Sequence, residues 1–139
     1  NLTTLNLSSN KLNEAGGFEL EEFGNSLVRL ELLTNLNLDD NDLFLLEDED
    51  AKTFCCILRC LKTLRVLSLK SNGLNFVTDF QWGKLVESLR SMRSLEAIDL
   101  SYNQLTCEQK KILRNHGFIQ TDNCEIWKRK RRANSCILM

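Results

Sequence analysis

Leu2–Leu12 reads "LTTLNLSSNKL", and the same eleven-residue pattern returns as Leu33–Leu43 "LTNLNLDDNDL", Leu64–Leu74 "LRVLSLKSNGL" and Leu95–Leu105 "LEAIDLSYNQL". Each copy starts 31 residues after the one before, and each keeps one Asn: Asn10, Asn41, Asn72 and Asn103. Alternation within the centre of each copy predicts a short strand, with Leu5 and Leu7 facing a core and Thr4, Asn6 and Ser8 facing away. Equivalent strands are expected at Asn35–Leu38, Val66–Leu69 and Ala97–Leu100. Each Asn is expected to bond backbone groups of the turn that follows its strand, where no sheet partner is available.

The stretch between copies changes period. Leu20, Phe23, Leu27 and Leu30 match Ala51, Phe54, Leu58 and Leu61, and then Trp82, Leu85, Leu89 and Met92. Spacings of three, four and three place each set on one stripe of an amphipathic helix. One strand and one helix per unit, stacked at a fixed period, predict an α/β solenoid. Its parallel sheet lines the concave face and its helices the convex face.

This LxxLxLxxNxL pattern with a helix in every unit resembles the ribonuclease-inhibitor class of leucine-rich repeats. The resemblance covers Leu2 to about Leu113, and the repeat runs longer than the 28–29 residues usual in that class. It implies a horseshoe fold that binds proteins on its concave side. Membrane-anchored F-box proteins and Ran-GTPase activators share the repeat class, but the chain shows no F-box and no matching arginine.

The expected organisation is four repeats over 1–105, a cap over 106–127 and a basic, flexible tail over 128–139. In the cap, "TCEQKKILRNHG" reads as a last helix with Ile112 and Leu113 inward and Gly117 at its end. "FIQTDNCEIW" reads as a segment folded over the open end of the core. No comparable cap precedes Asn1, and the chain reads as the C-terminal part of something longer.

At 139 residues, 42% hydrophobic and 27% charged, the composition is that of a globular domain. The net charge is −1, and the five positive charges of Lys128–Arg132 leave −6 on the remainder. An acidic body speaks against nucleic-acid binding, which needs clustered Lys and Arg. Six cysteines form no CxxC pair and a single His is present, so no zinc set can be assembled. The cysteines are expected to be buried free thiols. Asp39, Asp40 and Asp42 lack the spacing and closing Glu of a calcium loop, and the run Glu47–Asp50 suits a helix N-terminus. No nucleophile, base or phosphate loop assembles, so the chain reads as non-catalytic and without a cofactor.

Candidate partner-binding residues are the outward strand and turn positions Asn6, Ser8, Asn37, Asp39, Asp40, Ser68, Lys70, Asp99, Ser101 and Tyr102. The second candidate site is the C-terminal "KRKRRANSCILM". "CILM" has the form of a prenylation box, with Cys136 the lipidated residue and Met139 pointing to farnesyl. A single lipid gives only marginal membrane binding, and Lys128, Arg129, Lys130, Arg131 and Arg132 supply the second, electrostatic signal. The expectation is a protein-binding repeat module, farnesylated by protein farnesyltransferase and held at the cytoplasmic face of an anionic membrane. A nuclear or untethered cytosolic scaffold, sensor or substrate-recognition domain is the alternative, as is a small-GTPase regulator.

Overall fold

The computed structural model describes residues 1–122 and 125–130. Strands β1 (Thr4–Asn6), β2 (Asn35–Asn37), β3 (Val66–Ser68) and β4 (Ala97–Asp99) stack in parallel in one sheet. Their register is offset by the repeat itself: Leu5 lies beside Leu36, Leu36 beside Leu67, and Leu67 beside Ile98. Helices α1 (Gly17–Val28), α2 (Asp48–Cys60) and α3 (Asp79–Ser91) cross from each strand to the next. This is the expected strand-and-helix solenoid.

The core lies between the two layers. Leu36, Leu67 and Ile98 from the strands meet Leu20, Phe54, Leu58, Leu85 and Leu89 from the helices, all essentially inaccessible. Phe44 packs edge-on against Phe54, with ring centroids 6.0 Å apart. Burial tapers toward β1, where Leu5, Leu7 and Leu12 are half-buried against the core. The helices approach closely at one point. A Cβ on Gly24 would stand 2.4 Å from Cγ1 of Ile57, so only glycine lets α1 and α2 pack at this separation.

The Asn column holds successive turns together. The Asn72 amide oxygen accepts the backbone N–H of Asn41 and of Leu43, both at 3.2 Å. Its amide nitrogen donates to the carbonyls of Leu38 and Lys70 at 2.9 and 3.0 Å. Asn41 and Asn103 do the same one repeat earlier and later. Each side chain therefore bonds its own turn and the turn of the preceding repeat. Two further columns flank it: Ser9, Asp40, Ser71 and Tyr102 before, and Lys11, Asp42, Gly73 and Gln104 after. All eight have φ between 50° and 80°. In the first three turns the non-glycine residues accept the left-handed region because the next repeat's Asn holds the N–H groups on either side.

The fourth unit departs from the period by losing a turn. A short 3-10 turn separates strand from helix at Leu12–Glu14 and Leu74–Phe76. After Leu105 the chain instead enters the helix cap at once, with α4 spanning Cys107–Asn115. Thr106 and Gln109 form a capping box like that of Thr78 and Gln81. Gln109 donates to the Leu74 carbonyl as Gln81 does to that of Leu46. The helix expected to belong to the cap therefore continues the repeat across a three-residue deletion, its N-cap lying 28 rather than 31 residues after Thr78.

Beyond α4 the chain forms β5 (Phe118–Gln120) and β6 (Ile126–Arg129), and the sheet order is β1-β2-β3-β4-β6-β5. Strand β6 runs antiparallel to β4, with Trp127 opposite Ile98. Phe118 and Trp127 are buried and close the end of the core. Lys128 and Arg129, expected in a flexible tail, instead lie in the sheet, because their backbone completes the edge of β4. Of the expected buried thiols only Cys55 is buried among the described residues. Cys56, Cys60 and Cys107 are exposed, since they fall off the core-facing side of their helices.

Candidate functional site

Concave positions form a linked polar row across three repeats. The Asn37 amide oxygen accepts the Asp39 N–H at 2.8 Å. One Asp39 carboxylate oxygen accepts from the Ser68 hydroxyl at 2.6 Å and the Lys70 N–H at 2.9 Å. The Lys70 ammonium lies 3.3 Å from the Asp99 carboxylate, which also accepts the Ser101 N–H at 3.0 Å. The hydrogen bond with Asp99 raises the Lys70 pKa, so the ammonium charge is secure. At the first repeat the Asn6 amide oxygen takes the Ser8 N–H at 3.0 Å.

These bonds divide the predicted residues. Asp39 is 9% exposed and its carboxylate serves the turns. Asn37, Ser68, Asp99 and Ser101 are half-buried in the same row, whereas Asn6, Asp40 and Tyr102 are exposed. Tyr102 is 75% exposed, and its N–H is held at 2.9 Å by the carboxylate of Glu125. The Glu125 carboxylate takes the place of a backbone carbonyl, since the equivalent N–H groups of Ser9, Asp40 and Ser71 bond the carbonyls of Asp39, Lys70 and Ser101 in the next repeat, a role no periodicity could announce because the period has ended. Strand β6 extends the face: Lys128 pairs with Ala97 on one side and with Ile119 on the other. Val66 and Ile119 add exposed apolar surface to it.

The basic run splits by alternation. Lys128 and Lys130 are exposed, while Arg129 is half-buried. The Arg129 guanidinium donates to the carbonyls of Leu89 at 2.7 Å and Met92 at 2.9 Å, capping the C-terminal end of α3, and lies over Phe118. Burial lowers its pKa, without bringing an arginine near neutrality. Arg129 is therefore committed to the fold. Arg131, Arg132 and Cys136 lie outside the described residues.

Sequence reasoning missed a second basic feature. Arg59 and Arg90 lie one repeat apart at the last turns of α2 and α3, and Lys62 and Arg93 lie one repeat apart just beyond. Arg90, Arg93, Lys128 and Lys130 line a single open trough, with Arg65 on its wall. Glu96 beside it is engaged by Arg65 at 2.7 and 3.0 Å. The opposite ends of the helices carry Asp48, Glu49 and Asp50 on α2 and Asp79 on α3. Comparing the ends of the helices at the 31-residue period, rather than their apolar stripes, would have exposed this polarity.

The geometry defines a leucine-rich-repeat solenoid with a closed C-terminal end. The family described as Leucine Rich Repeat matches residues 1–26. Among curated protein sequences, none matches the chain. Among solved structures, the leucine-rich repeat-containing protein LegL7 from Legionella pneumophila is similar, with 21% identity and a TM-score of 0.63, over 82% of this chain and 35% of that one. The tropomodulin C-terminal domain of Caenorhabditis elegans aligns with 14% identity and a TM-score of 0.58, over 83% of this chain and 66% of that one. Likeness at this identity shows the shared fold.

Proposed function

We propose that this chain is a non-catalytic protein-interaction module held at the cytoplasmic face of a membrane. The observation that carries the interaction reading is the concave row from Asn37 to Ser101, whose polar groups are fixed by hydrogen bonds before any partner arrives. A preorganised surface loses little conformational entropy on binding. Exposed Tyr102, Val66 and Ile119 supply the aromatic and apolar anchors such interfaces use. Asn6, Asp40 and Lys70 supply the polar surround.

The tether reading rests on the sequence of the last twelve residues. Farnesyl on Cys136 gives marginal membrane affinity by itself, and the exposed cations before it add the electrostatic part. Two experiments test the parts separately. Incubation with protein farnesyltransferase and its lipid donor should add one farnesyl to the wild-type chain and none to Cys136→Ser, by intact mass; an unmodified wild type rejects the tether. A photo-crosslinker at position 102 should trap a partner protein in cells that one at position 52, on the convex side, does not. Equal trapping at both positions rejects the concave site.

A further inference from the structure

We infer that the basic edge of the solenoid, formed by Arg59, Lys62, Arg90, Arg93, Lys128 and Lys130, is a docking surface for an anionic lipid bilayer. It would set the orientation of the whole repeat array on the membrane. The inference goes beyond the tether at Cys136 and rests on it for the attachment.

Part of the edge has a local explanation. Arg59 and Arg90 sit in the last turns of α2 and α3, where cations complement the negative end of the helix dipole. That explanation does not reach Lys62 and Arg93, which lie past the helix ends, or Lys128 and Lys130, which belong to the cap. No ion pair engages any of the six among the described residues, whereas the neighbouring Arg65 is paired with Glu96. The unpaired cations come from three successive structural units and are held together by the fold. The Ser94 hydroxyl bonds the Lys62 carbonyl at 2.6 Å, and the Lys130 N–H bonds the Gly117 carbonyl at 2.8 Å.

Distances decide how a charged surface would read this molecule. Helices α2 and α3 have 13 residues each, so the basic and acidic edges are separated by roughly 20 Å. That is about twice the Debye length at physiological salt, so the acidic edge cannot cancel the attraction of the basic one. The chain leaves its last described residue, Lys130, at the trough. Cys136 is six residues further on, within about 20 Å even at full extension. A lipid on Cys136 would thus enter the bilayer close to the edge whose charge suits it. Helix axes then stand up from the membrane, the acidic edge points away, and the concave face opens sideways to a partner.

The test is flotation of the full chain, with and without farnesyl, on phosphatidylcholine vesicles lacking or containing phosphatidylserine. It compares wild type with Lys62→Glu/Arg93→Glu, which leaves the C-terminal basic run intact. Farnesylated wild type should prefer the phosphatidylserine vesicles. The double reversal should weaken that preference on the order of tenfold or more while leaving binding to neutral vesicles unchanged. Lys62→Gln/Arg93→Gln should show a smaller loss in the same direction, and covers the case in which the reversal impairs folding. An unchanged preference in both variants overturns the docking edge yet leaves the tether standing. Failure of the wild type to accept farnesyl, with an edge-dependent preference retained by the bare chain, removes the tether and keeps the edge. Edge-dependent binding to a 30-nucleotide RNA at physiological salt, without vesicle binding, overturns the inference in favour of nucleic acid. A nitroxide carried on Cys60, at the basic edge, should lose exposure to an aqueous quencher on docking. One on Cys107, at the start of α4, should not.

Discussion

At the scale of single residues, the Asn column separates structure from function. Asn72 is fully buried and satisfies two N–H groups and two carbonyls belonging to two repeats. Asn72→Ala strands the N–H groups of Asn41 and Leu43 away from water, while the Leu38 and Lys70 carbonyls keep the Asn41 amide and the Asp40 N–H as donors, and we expect a loss of about 2–4 kcal/mol in urea unfolding. Asn10→Ala, at the exposed end of the column with one carbonyl bond, should cost well under half as much. Equal costs would mean that the ladder is not what the turns depend on. Cys55 offers a second reading. Burial pushes its thiol up from the ordinary 9.0 to about 12, partly offset by a hydrogen bond with Ser88. Folding thus disfavours the thiolate. The stability it contributes is whole below pH 9 and is lost as pH rises from 9 toward 12, by about 1.4 kcal/mol per pH unit at most. Cys55→Ala should therefore show a flatter decline than wild type in melts between pH 9 and 10.5. Whereas the Asn column was legible in the sequence, the left-handed turns at Lys11, Tyr102 and Gln104 were not. None of the three favours that conformation locally: Asn41 of the next repeat holds the N–H groups on either side of Lys11, and Glu125 holds the Tyr102 N–H.

At the scale of elements, the helix stripes were legible because burial alone creates them. Leu20, Phe54, Leu58, Leu85 and Leu89 all reach the core as their spacing predicts. What spacing could not give was the distance between helices. Gly24 breaks helix propensity, and only the contact with Ile57 explains it. Gly24→Ala gains up to about 1 kcal/mol of propensity but forces α1 from α2, and overpacking of this kind costs about 1–3 kcal/mol. Net destabilisation is expected in thermal melts. Ile57→Ala in the same chain should recover part of it, so that the two losses fall short of additive. Strict additivity would show that the helices do not meet here. The deletion after Leu105 was hidden for a related reason. A fixed 31-residue frame reads a shortened turn as the end of the pattern, although Thr106 and Gln109 repeat the capping chemistry of Thr78 and Gln81.

At the scale of the molecule, the two ends of the solenoid differ, and the basic run is where that difference was misread. Charge suggested one continuous tail from Lys128, yet strand alternation sends Arg129 into the end of α3 and leaves Lys128 on the surface. Arg129→Met should cost about 1–3 kcal/mol through the loss of three charge-assisted bonds to the carbonyls of Leu89, Arg90 and Met92, while Lys128→Met stays within about 0.5 kcal/mol. The same asymmetry predicts a gradient of local stability, because each repeat draws on its neighbours and an array frays from whichever end is open. Strand β1 has a neighbour on one side, and Leu5 and Leu7 behind it are half-buried. Strand β4 has a neighbour on both sides, and Trp127 seals the core beside it. Hydrogen exchange should therefore be fastest at Leu7 and Ser9, whose N–H groups bond Asn37 and Asp39, and slowest at Leu69, bonded to Asp99. Trp127→Ala should raise exchange at Leu100, whose N–H bonds Glu125 in the cap, before it affects Leu7. Uniform protection along the sheet would mean that the repeats open only together, and the cap would then be a covering rather than the clamp that holds one end of the array closed.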